Sequence, residues 1–241
     1  MAEGLQGFLS FFIYFILPYV ATVFLLGGLA YRVAKWTSTR RPSTSLTIFP
    51  KHGNMTLIKD LLPDQLVFPR LAKHNRALWV FAFLFHASLA AILFGHLRLY
   101  QEPTWLWALL GLGAAGVDSF AFYAGGIAGV VFTVAIVGLL ARRLQGIMKT
   151  ISVPEDYVIL GYLLAIALSG CYLRFFAGLS VPELQQYISG LLSFKLTLTP
   201  SVLNPFFVIH YLLVLSFLIY FPWSKLVHIA GSFITNFIVK R

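Results

Sequence analysis

Residues 204–241 read NPFFVIHYLLVLSFLIYFPWSKLVHIAGSFITNFIVKR, and the fold is decided by how this stretch is read. An apolar run carries His210, Pro222 follows with polar residues just after it, and His228 lies eighteen residues beyond His210. At about 100° per residue, eighteen residues complete five turns, so both imidazoles leave one helical face if the helix continues. A second stretch, LFHASLAAILFGHLRLY at 84–100, holds His86 and His96 ten residues apart, about 80° short of a common face. An imidazole in an apolar membrane helix is costly and usually faces a partner, a cavity or a cofactor. Two helices, each with histidines near both ends, predict two bis-histidine haem b sites stacked across a membrane.

Composition agrees with lipid as the solvent. The 241 residues are 59% hydrophobic and only 11% charged, with mean hydropathy +0.83. A water-soluble domain carries about 25% charged residues, so this chain lacks the surface charge that water requires. One cysteine, Cys171, excludes a disulfide framework or a cysteine-ligated iron–sulfur cluster within the chain. The start, MAEGLQGF, has an acid and no basic segment, so no cleavable signal peptide is expected.

Working outward, five apolar segments are each long enough to cross about 30 Å of hydrocarbon. They lie at 8–33, 77–99, 120–141, 155–176 and 205–228. The expected fold is therefore an all-α integral membrane protein, a five-helix bundle forming a single domain over 1–241. Pro18 is expected to bend the first span. Residues 100–119, including WLWALLGLGAAGV, are too short to cross and read as interfacial. PELQQYISGLLSFKL at 182–196 reads as a short amphipathic helix along the surface.

Fifteen of the eighteen Lys and Arg residues fall on one side. Nine are in the 34–76 loop and its flanks, three follow span three and three lie at the C-terminal end; only Arg98, Arg174 and Lys195 lie opposite. The positive-inside rule then puts the N-terminus outside and the C-terminus in the cytoplasm. The net charge of +10 is thus a topology signal, and no nucleic-acid partner is expected. In this orientation His86 and His228 are inner, and His96 and His210 outer. The expected pairs are His86 with His228 and His96 with His210. A tension accompanies them, since the spacings correspond to about 15 Å and about 27 Å along continuous helices.

The histidines at H-x9-H in span two, AGGIAGV followed by ARRL in span three, and HYLLVLSFLIYFPWSKLVHI in span five carry a family resemblance. The chain resembles the gamma subunit of membrane-bound respiratory nitrate reductase. It also resembles the wider family of dihaem membrane cytochromes b that includes DsrM-type and heterodisulfide-reductase-type subunits. The likeness covers all five spans and departs in the long 34–76 loop and the short C-terminal tail. It implies a subunit of a respiratory oxidoreductase complex in a prokaryotic cytoplasmic membrane, not catalytic alone. Electrons would pass between the quinone pool, menaquinone or ubiquinone, and a cytoplasmic iron–sulfur partner subunit. By position, His86, His96, His210 and His228 match the axial haem ligands, and bis-histidine iron leaves no coordination position open to substrate. A quinone site is expected beside the outer haem, lined by spans two and three. There Gly95 would admit close approach to the backbone, and Asp118 is the nearest acid to handle quinol protons.

Simpler readings stand beside these. Asp118 reads more simply as an interfacial helix-start residue than as a proton carrier. Arg98 and Lys225 pair with haem propionates or reach to the interface. His52 and His74 read as solvated loop residues. Gly125 and Gly129 have the small-xxx-small spacing of close helix packing, and Cys171 reads as a packing residue. A different class, a membrane transporter whose histidines relay protons or bind metal, would call for broken helices and further intramembrane carboxylates. The spans hold almost none.

Four ligands make two sites, so pyridine haemochrome analysis of the purified chain should return two haem b per chain. No C-x-x-C-H is present, so the haem should extract non-covalently. A value near one, or none, overturns the pairing.

Overall fold

A computed structural model describes residues 2–38, 63, 65–228 and 231–232. Arg40, Arg41, Lys51, His52, Lys59, Lys240 and Arg241 lie outside the described residues. All the regular structure among those described is helical, and five helices are long and apolar enough to cross a membrane: Gln6–Ser38, Arg76–Leu99, Ala114–Arg143, Pro154–Phe175 and Pro205–Trp223. The chain is built as a multi-pass membrane protein. It divides into two compact units, residues 74–213 and residues 1–73 with 214–241.

In the unit of residues 1–73 and 214–241, the first span comprises α1 (Ala2–Phe11), a π-helical stretch at Phe12–Ile16 and α2 (Leu17–Ser38). Proline has no N–H and its ring crowds the carbonyl four residues earlier. Here the distortion ahead of Pro18 is taken up as i to i+5 bonding, with the Leu17 N–H reaching the Phe12 carbonyl. The span runs to Ser38, so residues 34–38, expected in the cytoplasmic loop, belong to the helix. A short helix, α3 (Pro69–His74), straddles the boundary between the units.

In the unit of residues 74–213, α4 (Arg76–His96) opens on Asn75, whose side chain accepts the Leu78 N–H at 2.9 Å. A 3-10 turn at Leu97–Leu99 and a six-residue helix, α5 (Thr104–Leu109), follow. The third span, α6 (Ala114–Arg143), is thirty residues long. This corrects the expected interfacial reading of 114–119, which belongs to the span, and leaves Asp118 just over one turn inside it. After α7 (Gly146–Ile151), α8 (Pro154–Phe175) starts with proline in its first turn and Asp156 accepting the Val153 N–H at 3.1 Å. Arg143 closes the α6–α8 connection through a 3.0 Å ion pair with Asp156. The expected amphipathic helix is α9 (Val181–Leu192), which buries Leu184, Tyr187, Gly190 and Leu191.

Helix α6 is the centre of this unit, packed by α4 on one side and α8 on the other. Phe85 and Phe132 meet with ring centroids 5.0 Å apart, and Ala135 and Ile136 are fully buried. Small residues allow the approach. A Cβ at Gly126 would stand 2.9 Å from the Phe175 ring, one at Gly129 would stand 3.0 Å from Cys171 Sγ, and one at Gly138 would collide with Phe81. Close packing at 125–129 and the packing role of Cys171 are thus both seen.

The fifth span, α10 (Pro205–Tyr220), ends eight residues before His228. Pro222 cannot donate to the carbonyl one turn back, and the chain breaks into 3-10 turns at Phe221–Trp223 and Lys225–Val227. Ser224 is extended between them, donating its hydroxyl to Phe221 O at 2.8 Å and accepting the Leu226 N–H at 3.1 Å. The expectation of one continuous helix over 205–228 is corrected: His210 and His228 do not share a helical face, and the 27 Å reach computed for a continuous helix does not apply. The break is held from α2. Arg32 Nε donates to Pro222 O at 2.9 Å, its guanidinium lies 5.7 Å from the Trp223 ring centroid, and a Cβ at Gly28 would stand 2.6 Å from Pro222 Cβ.

Gly138→Ala should force the Phe81 ring out of its place and lower stability by about 1–3 kcal/mol in detergent unfolding. Gly161→Ala, with nothing within 4 Å of the new methyl, should be neutral or stabilising by up to about 1 kcal/mol. Equal effects at the two positions would contradict this packing.

Candidate functional site

The four histidines share one feature of hydrogen bonding. His86 sits mid-helix on α4 with Nδ1 2.7 Å from Ala82 O, and His96 ends the same helix with Nδ1 2.7 Å from Ile92 O. His228 follows the Lys225–Val227 turn with Nδ1 3.1 Å from Lys225 O. A carbonyl oxygen only accepts, so in each case the proton is on Nδ1 and that nitrogen donates. His210 reaches the same state through a hydroxyl: its Nδ1 lies 2.9 Å from Ser169 Oγ, which donates to Ile166 O at 3.0 Å. With its own proton committed, the serine oxygen accepts from Nδ1. A neutral ring at each of the four positions is therefore the Nδ1–H tautomer, with Nε2 its unprotonated nitrogen, the form in which imidazole binds a metal.

Residues 74–213 bring two of the four together. His96 and His210 are near enough for a positive charge on one ring to be felt by the other. The His210 ring is seated against α8, where a Cβ at Gly170 would stand 3.1 Å from its Cε1. Ser169 and Gly170 were missed in the sequence, where a Ser-Gly pair in an apolar span reads only as tight packing. His86 is partly buried, its ring edge-on to Phe85 at 5.1 Å. His228 is exposed in the other unit, and so is Lys225, whose carbonyl orients it.

The donor set fits haem. Two imidazole lone pairs per iron are what a bis-histidine b-type site takes from the protein, the porphyrin supplying the other four nitrogens. Among the described residues, no three His, Cys, Asp or Glu side chains converge as an all-protein metal site requires.

The end of α4 near His96 and the start of α6 carry a charged network. Arg98, two residues past His96, donates through Nε to Glu102 at 2.8 Å and through Nη2 to Asp118 Oδ1 at 2.6 Å. Glu102 also accepts from Trp107 Nε1 at 2.6 Å, and Gln185 on α9 donates to Arg98 O at 2.8 Å. Arg98 thus already has two carboxylate partners. Asp118 is largely exposed and bound to Arg98, so it is no helix cap. Nothing lies within 4 Å of the space a side chain at Gly95 would enter. Beyond the spans, the Ser201 hydroxyl and backbone N–H hold the Glu183 carboxyl below the usual carboxylate range, pinning the segment after α9.

Comparisons with known proteins place this arrangement. The family model described as nitrate reductase gamma subunit matches residues 71–241, which include all four histidines. The chain is 29% identical to the respiratory nitrate reductase 2 gamma chain of Escherichia coli, over 92% of its own length and 90% of the relative's. It is 28% identical to Hdr-like menaquinol oxidoreductase cytochrome b-like subunits of Archaeoglobus fulgidus and Archaeoglobus profundus, over 90% and 92% of its length and 76% of each relative. With its match running from just before the second span to the last residue, the chain belongs to the nitrate reductase gamma subunit family.

Proposed function

We propose that this chain is the dihaem cytochrome b subunit of a respiratory oxidoreductase complex, passing electrons between the quinone pool and a cytoplasmic iron–sulfur partner subunit. The observation that carries the reading is the hydrogen bonding shared by four histidines, each with Nδ1–H on an oxygen, so that Nε2 is the nitrogen suited to iron. His96 and His210 would hold the outer haem, and their proximity supports that pair. His86 and His228 would hold the inner one, by the orientation drawn from Lys and Arg. When bound, the two haems would supply one-electron centres at two depths of the membrane.

The protein's own residues do the rest. Each Nδ1–H bond fixes its ring plane and raises the basicity of Nε2. With two imidazoles per iron, no position is left for substrate, which confines the site to electron relay. A quinone would bind outside the haem, toward the open space at Gly95. Asp118 would take a proton on Oδ2, the oxygen not engaged by Arg98 Nη2. The relatives named for menaquinol favour menaquinone among the quinones.

His96→Ala and His210→Ala should each remove the same spectral component in reduced-minus-oxidised difference spectra and spare the other. His86→Ala and His228→Ala should do the converse. Loss of one shared component from His86→Ala and His210→Ala would show the pairing to be wrong.

The partner should dock where basic charge gathers, on the 34–76 loop, the Arg142–Arg143 turn and the C-terminal end, since such a field steers an acidic or mixed-charge protein. Cross-linking from Lys51, Lys59 or Lys73 in the intact complex should recover a cluster-bearing subunit. Recovery of lipid or outward-facing proteins alone would move the docking face to the other side.

A further inference from the structure

We propose that Arg174 anchors a propionate of the outer haem, a role for which the sequence had pointed to Arg98. The assignment rests on the dihaem reading above and names a residue that reading does not use. Arg174 lies in the last turn of α8, four residues after Gly170, the glycine against which the His210 ring is seated. Positions four apart share a helical face, so the arginine stems from the face that carries the ligand's seat. Its guanidinium is laid against α6: a Cβ at Gly125 would stand 3.0 Å from Nη2 and 3.5 Å from Nε. The glycine leaves room for a flat cation at that spot.

Charge distinguishes the two arginines. Arg98 is matched by Glu102 and by Asp118. Arg174 has no ion pair with any carboxylate among the described residues, and Arg98 is close enough to repel it. A guanidinium at the end of an apolar span, exposed on the protein side, beside another cation and without a carboxylate, is open to an anion from elsewhere. Two anions are available at this depth, a lipid phosphate and a haem carboxylate. The geometry favours the second, because the same end of the same unit holds His96 and His210 near each other, and Arg174 stems from the face of α8 that seats one of them. A planar guanidinium also suits a carboxylate, which it can meet with two parallel hydrogen bonds.

The test is redox potentiometry of the purified full chain, with the outer component identified by its loss in His96→Ala. A guanidinium beside a propionate cancels charge that otherwise favours ferric iron, so R174Q should lower the outer midpoint potential and weaken retention of that haem. The inner component should not move, and R174K should restore most of the outer potential. Gly125→Ala keeps the charge but displaces the guanidinium, a far end of a flexible chain, and should shift the outer component in the same direction. That variant decides the matter if R174Q does not fold. Unchanged outer potential and haem content in R174Q and Gly125→Ala would overturn the assignment. So would loss of bound anionic phospholipid from R174Q with the outer potential unmoved, which would give the cation to a headgroup. Should the unmodified chain hold fewer than two haems, the dihaem reading itself fails and the anchor with it.

Discussion

A hydrogen bond from an imidazole N–H to an oxygen of its own protein is the constraint on which the rest depends. Lipid offers no water to take that proton, so each histidine in a span must place it internally or leave it unsatisfied at a cost of about 1–3 kcal/mol. His86 and His96 place it on the carbonyl one turn earlier, which a helix always presents to a side chain folded back along its own axis. The same bond that satisfies the donor chooses the tautomer. Solvation by the helix and the choice of tautomer are therefore one event, and they need no residue beyond the histidine itself.

His210 departs from this pattern and shows where the ring proton goes when it is placed on a neighbouring helix. Its proton goes to another helix, and the acceptor is a serine whose own hydrogen is committed to Ile166. A bond between helices fixes the ring and also ties α10 to α8, beside a glycine that allows the ring to approach. His210 on the last span is thus positioned by the span before it.

Much of the fold was legible in the chain. Five apolar runs gave five spans because, in lipid, length and hydropathy suffice, and Gly125 and Gly129 announced tight packing that is present against α8. The four histidines were legible as ligand candidates for the same reason that charged residues in spans are conspicuous. What escaped was geometry set by single residues. A five-turn repeat between His210 and His228 looked like a helical face, but Pro222 removes a donor and ends the helix at Tyr220, so the repeat has no helix to act through. Residues 114–119 looked interfacial together with the short apolar run before them, whereas Ala114 starts α6 and joins them to the next span. The partners of Arg98 lie four and twenty residues away, and Ser169 lies forty-one residues from His210; contacts at that range leave no periodic mark.

The interruption after Tyr220 has a consequence for how this chain can vary. In an unbroken helix, adding one residue between two side chains turns the second by about 100° about the axis and undoes their alignment. Across 3-10 turns and an extended serine, with the proline carbonyl gripped by Arg32, that rotation has nothing rigid to propagate through. The segment is instead fixed by its own contacts, Pro222 and Ser224 being buried and Pro222 lying against Gly28. The register of the residues after Tyr220 is therefore set by packing against α2, not by the number of turns in α10, and an insertion or deletion within 221–227 is judged by whether it keeps that packing.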